Sequence, residues 1–252
     1  MLMDGSLGSM RRNMRAFYRL LGTRSPGGAL IERDGLVAAI VPSCPDQSIV
    51  NGVVYEAPAA IEACRDELEA AYGRAGVRRW RVWVPEADRE IGDWLKQCGH
   101  RLSGSPRAMK CELGDVDVDV ADGLDWDVTA DVASVARLNE DAYGLPPGEF
   151  ADALTALTGD AVRVYLAHEH GEAAACVVAI DEDADCGMYA VATRPASRRR
   201  GLASTLMRRA LIDARDRGCT TSTLQSSQAG AGVYARLGYQ DLGGFGTWER
   251  TL

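Results

Sequence analysis

At 252 residues the chain is long enough for one large domain or two of ordinary size, and its 46% hydrophobic, 25% charged composition is that of a soluble globular protein. The net charge of −8 argues against a nucleic-acid footprint, and no run of about 18 apolar residues marks a membrane-spanning helix. Seven scattered cysteines, odd in number and without C-x-x-C, fit neither a disulfide framework nor a zinc site and indicate the reducing cytoplasm.

Arg11, Arg12, Arg15 and Arg19 alternate with Met14, Phe17, Tyr18 and Leu21, so residues 1–21 read as an amphipathic helix. Packing against the body of the protein is the expectation for it, with a membrane surface as the other partner such a helix can take. Extended segments follow near Ala29–Val41, then a strand Gly52–Glu56, a helix near Ala59–Tyr72, a strand Arg79–Val84 and a helix Asp88–Cys98. Gly99-His100 leads to a strand ending Met109–Leu113. His100, His168 and His170 read as turn and strand-end residues, with no metal constellation.

The acidic stretch Gly114–Gly123 divides the chain. Residues 1–113 carry a balance of +2 and residues 114–252 a balance of −10, with half of the later acids between Asp115 and Asp152. Such a cluster either attracts a cationic partner or is a solvated linker. Beyond it come helices Val132–Tyr143 and Phe150–Leu157, then apolar runs Val162–Glu169 and Glu172–Ile180 joined at His170-Gly171 as a hairpin. A third strand, Cys186–Thr193, precedes a helix Leu202–Arg217 terminated by Gly218. A strand Thr220–Gln225, a helix Ala229–Leu237, Gly238-Tyr239 and a last strand through Trp248 repeat the order seen before Met109, with ten positions from glycine to strand in both halves. An internal duplication of one α/β unit is the organisation this implies, with halves 1–113 and 114–252.

The stretch Val191–Ala203 leaves an apolar strand, turns at Pro195 and opens an amphipathic helix at Arg198-Arg199-Arg200-Gly201-Leu202-Ala203-Ser204. First-turn N–H groups have no partner inside a helix, and the helix dipole adds positive potential, so a pyrophosphate fits there, with Gly201 permitting close approach. The run resembles the acyl-CoA loop of GNAT acetyltransferases, Q/R-x-x-G-x-G/A, here Arg198-x-x-Gly201-x-Ala203. Arg24–Ala29 fits the same pattern but neither follows a strand nor opens a helix, and reads as a glycine-rich turn. Tyr234-x-x-x-Gly238-Tyr239 resembles the family's second signature, about 31 residues downstream. The whole chain is also similar to uncharacterised actinobacterial GNAT proteins.

The resemblance implies a tandem of GNAT folds, each a mixed, mostly antiparallel twisted sheet flanked by helices. The first copy would be degenerate, with Leu95 standing where the second has Tyr234. It implies acetyl-CoA as cosubstrate and an N-acetyltransferase activity (EC 2.3.1.-) on a small-molecule amine, amino acid or peptide N-terminus, by direct attack in a ternary complex. Amides of Arg198, Arg199, Arg200, Gly201, Leu202, Ala203 and Ser204 would hold the pyrophosphate. Val191, Ala192 and Thr193 would border the pantetheine, an amide near Thr193 would steady the charge developing on the thioester oxygen, and Tyr234 would protonate the departing thiolate. Glu140, Glu149, Asp152 and Tyr189 are open candidates for a general base, and Cys176 and Cys219 sit in contexts that favour inert thiols. A non-catalytic acyl-CoA-binding module is the alternative; no metal, nucleic acid or membrane is expected, and the assembly is a monomer or homodimer.

Overall fold

The computed structural model describes residues 3–116 and 123–252; most of the acidic boundary segment lies outside them. Alternation along the strands sets the layering. In β2 (Leu36–Ile40), Leu36, Ala38 and Ile40 face one core while Val37 and Ala39 face another. In β9 (Glu172–Glu182), Ala175, Val177 and Ala179 face one core while Cys176, Val178 and Ile180 face another. A strand apolar on both faces must be covered on both, and helices supply the cover.

One face bears a single core shared by both halves of the sequence. It contains Met10, Met14, Tyr18 and Leu21 of helix α1 (Met3–Arg24) together with Val54, Trp83, Val164, Val178 and Phe245. Burial of those four α1 side chains contributes roughly 6–12 kcal/mol before entropy is counted. Helices α4 (Val132–Tyr143) and α5 (Ala151–Leu154) complete this layer. On the opposite face there are two separate cores, one under α2 (Pro58–Arg74) and α3 (Arg89–Gln97) and one under α6 (Leu202–Asp216), the latter joined by Met109, Cys111 and Leu113 from the first half.

The other strands are β1 (Ala29–Arg33), β3 (Gly52–Tyr55), β4 (Arg79–Pro85), β5 (Arg101–Gly104), β6 (Arg107–Glu112), β7 (Asp125–Thr129), β8 (Val162–Glu169), β10 (Asp185–Thr193), β11 (Thr221–Ser226) and β12 (Gln240–Thr251), with α7 (Ala231–Ala235) before the last. All twelve described strands join one sheet in the order β1-β2-β3-β4-β12-β6-β11-β10-β9-β8-β7, with β5 beside β12. The sheet is mixed and mostly antiparallel; its parallel pairs are β3–β4 and β10–β11. The final strands of the two halves are exchanged. Strand β6 lies between β11 and β12, while the second part of β12, Phe245–Thr251, pairs with β4. The turns after α3 and α7 share one geometry: Gly99 and Gly238 take φ of 88° and 93°, and His100 N donates to Leu95 O as Tyr239 N donates to Tyr234 O, at 2.9 and 3.1 Å.

Candidate functional site

Strand β10 is held differently on its two edges. It pairs in parallel with β11 only from Asp185 to Gly187, opposite Thr221–Thr223, and then the two strands part. On the other edge it follows β9 to its end, through a bulge that inserts Ala190 and Val191 between the Tyr189↔Val178 and Ala192↔Cys176 pairs. Ala190 sits at φ 48°, a left-handed conformation unfavourable for a residue with a Cβ. Side chains of α4 hold the bulge: Asn139 Nδ2 donates to Ala190 O at 3.2 Å and Tyr143 Oη to Val191 O at 3.4 Å. Asp131 caps α4 by accepting from Ser134 N at 3.0 Å, and Gly144 closes it at φ 68°.

Past Thr193 the chain turns through Pro195–Ser197 and enters α6 at Gly201, whose φ is 82°. Helix α6 has no side-chain cap. Its first backbone bond is Thr205 N to Gly201 O at 3.0 Å, and among the described residues no acceptor takes the N–H groups of residues 199–204. The Arg198 amide turns back to Pro195 O at 3.4 Å, and the Arg198 guanidinium donates to Ala142 O at 2.8 Å and Thr193 O at 3.4 Å. Arg198 thus fixes the loop against α4, and the free donors belong to Arg199, Arg200, Gly201, Leu202, Ala203 and Ser204. A Cβ built on Gly201 meets no atom within 4 Å, so the approach to these donors is open. Arg200 pairs with Glu169 at 2.8 Å.

Where β10 and β11 part, a cavity of about 550 Å³ opens between them, α1, α4 and the first half of the chain. Val191 and Tyr234 line it at one side, with Gln225, Ser226 and Ser227 from the end of β11. Tyr234 packs edge-on to Tyr239 at 5.9 Å, and burial, followed by the neighbouring Tyr143, pushes its phenol pKa well up. No described residue hydrogen-bonds the Tyr234 hydroxyl, which leaves it free to serve a ligand. Arg81 and Trp83 from β4 and Gln47, Ile49 and Val50 from the loop before β3 line the cavity as well. These first-half residues carry no local motif, and the sequence signalled them only as strand and loop positions.

The base candidates are occupied or outside. Glu140 Oε1 accepts from Phe150 N at 2.8 Å, and Glu149 Oε2 accepts from Gln47 Nε2 at 2.7 Å. The Tyr189 hydroxyl donates to Asn13 at 2.8 Å, and Asp152 is exposed on α5. No carboxylate is among the described residues that line the cavity. Cys176 donates to Ala190 O at 3.1 Å, and burial pushes its thiol up to about 12, while Cys219 lies in the α6-side core. Among the described residues no cluster of His, Cys, Asp and Glu could hold a metal ion, and no helix is long and apolar enough to cross a membrane.

Residues 160–241 match the acetyltransferase (GNAT) domain family, a span that contains β10, the uncapped N-terminus of α6 and Tyr234. This protein carries a GNAT acetyltransferase domain. Solved GNAT structures share the fold along nearly the whole chain. One is a GCN5-related N-acetyltransferase from Kribbella flavida, 17% identical, covering 92% of this chain and 91% of its own with a TM-score of 0.67. Another, from Novosphingobium aromaticivorans, described as a GNAT-family acetyltransferase, is 17% identical over 88% and 91% with a TM-score of 0.58. A tandem GNAT protein of the clavulanic acid biosynthesis pathway is 14% identical over 90% and 84% with a TM-score of 0.61. No protein in the curated set matches the chain. The GNAT fold supports acyl transfer in general, and the family uses acetyl-CoA or another acyl-CoA.

Proposed function

We propose that the protein is an acetyl-CoA-dependent N-acetyltransferase that moves an acetyl group to a primary amine by direct attack in a ternary complex. One observation carries the reading: β10, whose Val191 lines a cavity together with an unbonded Tyr234 hydroxyl, runs on into the uncapped start of α6 with its six unpartnered N–H groups. The N–H groups of residues 199–204 would bind the pyrophosphate of acetyl-CoA, which supplies the activated acetyl group. The β10 edge at Val191, Ala192 and Thr193, left without a strand by the divergence of β11, would border the pantetheine and present an amide to the thioester oxygen. As the acceptor nitrogen forms its bond to the acetyl carbon and the carbon–sulfur bond breaks, Tyr234 would give its proton to the sulfur and regain one through water from the nitrogen, which becomes the neutral amide. With no carboxylate on the described lining, the acceptor would shed its own proton to water before attack.

The first half, 1–113, would be a silent copy supporting a working half, 114–252. Strand β3 joins α2 through two residues, Glu56 and Ala57, too few to form a second cradle, and Leu95 occupies the position of Tyr234. Seven free thiols suit a cytoplasmic setting.

Thermal unfolding with and without acetyl-CoA tests the cradle, in the wild type and in Gly201→Ala and Gly201→Glu. Ligand at about 100 times its dissociation constant adds about 2.7 kcal/mol, a shift of a few degrees. Both substitutions carry the same left-handed backbone strain, so a shift kept in part by Gly201→Ala and lost in Gly201→Glu places the anion at this loop. No shift in the wild type would overturn the reading. A shift without turnover on any amine would favour a binding module.

A further inference from the structure

The one formally charged residue on the described lining of the cavity belongs to the first half. Arg81 stands on β4 with 17% of its side chain exposed, and its guanidinium lies 5.6 Å from the Trp83 ring. Its Nε and Nη2 donate to Ser48 Oγ at 3.0 and 2.6 Å, and Ser48 Oγ donates onward to Glu249 Oε2 at 2.5 Å. The nearest carboxylate, Glu249, is engaged by Arg79 at 3.0 Å and stands 3.9 Å from Arg81. Two guanidinium groups therefore share one carboxylate. Arg79 is half exposed and water screens it, so the surplus charge that water does not satisfy is that of Arg81. The Nη1 of Arg81 meets no protein acceptor among the described residues. Burial, the largest influence, lowers the Arg81 pKa despite Tyr18 and Glu249, as expected of an under-compensated cation.

A desolvated guanidinium edge facing a cavity without carboxylates is a receptor for an anion, and its planar fork matches a carboxylate. The phosphates of acetyl-CoA do not need it, because their donors are at residues 199–204, at the start of the helix that packs on β8, β9 and β10, and β12, β6 and β11 stand between β10 and β4 in the sheet order. We propose that Arg81 is the acceptor-specificity residue: it binds a carboxylate on the acceptor, so that the amine acetylated belongs to a small zwitterion of amino-acid or short-peptide size. This rests on the reading of the cavity as the acceptor site of an acetyltransferase. It also makes the silent half part of the working site, as the wall that selects what enters. The sense of the charge on this lining is opposite to the acidic excess of the second half, so the cavity favours a carboxylate-bearing amine over a polyamine.

Product analogues test the subsite apart from turnover. A panel of N-acetyl amino acids with small, large and polar side chains is compared with the corresponding N-acetyl amino acid amides, by thermal unfolding in the presence of CoA. At least one acid is expected to stabilise the wild type and to bind roughly 10- to 100-fold more tightly than its amide, the loss expected when a bond to a charged group goes. Arg81→Gln is expected to erase that preference, Arg81→Lys to keep part of it, and both to keep the shift given by CoA alone. Acids and amides that bind alike, a panel in which neither binds, or a preference that survives Arg81→Gln overturns the proposal. Loss of the CoA shift in the wild type, with the acid preference intact, would instead strike the transferase reading and leave the carboxylate subsite standing.

Discussion

The side chain of Asn13, fully buried in helix α1, accepts a hydrogen bond from the hydroxyl of Tyr189 at 2.8 Å, 176 residues further along the chain. Its amide nitrogen donates to Ile180 O at 2.9 Å and Asp185 O at 3.2 Å, so one residue spans the turn between β9 and β10. Phe17, one turn on, stacks on Tyr189 at 4.5 Å. The neighbouring Gly187 has no room for a side chain, since a Cβ there would lie 2.0 Å from Asn13 Oδ1. Asn13→Ala leaves a hydroxyl and two carbonyls buried without this partner and should cost about 3 kcal/mol in urea unfolding. Because Tyr189 directly precedes the bulge at Ala190, the variant should also bind acetyl-CoA more weakly. A stability loss below about 1 kcal/mol would show that α1 does not fix β10.

Tyr234→Phe removes a hydroxyl and keeps the ring against Tyr239. The proposed acid role predicts a fall in kcat of about 10²- to 10⁴-fold, with little change in melting temperature or in the KM for acetyl-CoA. Burial raises the phenol pKa, so the proton stays in place through pH 9 and the wild-type rate should show no alkaline fall from this group. Instead, kcat/KM should climb with pH as the acceptor amine deprotonates, near pH ~8 for an α-amine. Undiminished turnover of Tyr234→Phe across pH 6–9 would remove the tyrosine from the mechanism.

His100 sets a different pH dependence, one of stability. Its ring meets Trp80 edge-on at 4.8 Å, and neither ring nitrogen has a hydrogen-bond partner among the described residues. Burial above all, then the nearby Arg250, holds its pKa down to about 4. In the unfolded chain a histidine titrates near 6.5. At pH 7 and above both states are neutral and the residue contributes nothing pH-dependent. Between pH 6.5 and 4 the unfolded state binds the proton first, and stability drains away by up to about 3 kcal/mol, of which about 2 kcal/mol is gone at pH 5. The difference between wild type and His100→Phe, measured by urea unfolding at pH 7 and pH 5, isolates this contribution from the carboxylates. Equal pH sensitivity in the two proteins would disprove it.

Much of the fold was legible because local chemistry dictates it. The Leu202–Arg217 periodicity, the glycine stop at Gly218 and the His170-Gly171 turn each need only their own neighbours, and helices and strands stand within a few residues of where those signals put them. The match of Gly99 with Gly238 was readable for the same reason, since both close a helix in the left-handed region. The loop at Arg198–Ser204 and Tyr234 could be picked out as candidates by their resemblance to the two GNAT signatures, which lie along one half of the chain. The bulge at Ala190 could not: alanine gives no signal of positive φ, and the conformation is imposed by Asn139 and Tyr143 from α4. Nor could the place of Arg81, which reaches the cavity only because the sheet continues from one half into the other. The exchange of β6 and β12 is similarly silent in sequence, since either strand would suit either half by its alternation alone.

That exchange makes the two halves mutually dependent. Strand β11 has β6 as its neighbour, and β4 has the second part of β12, so each half of the sequence completes the other's sheet. The core on the α1 face also draws side chains from both halves, Met14 and Trp83 from one and Val178 and Phe245 from the other. A fragment of residues 1–116 would expose the free edge of β4 and leave β6 with neither neighbour. A fragment of residues 117–252 would expose the facing edges of β11 and β12. Neither should fold cooperatively alone, whereas the two produced together should assemble one to one and regain the melting transition of the intact chain and its response to acetyl-CoA. Circular dichroism melts of each fragment and of the mixture decide the matter. A sharp transition in the second fragment alone would show that residues 117–252 close their sheet without β6, and that the first half is an appendage.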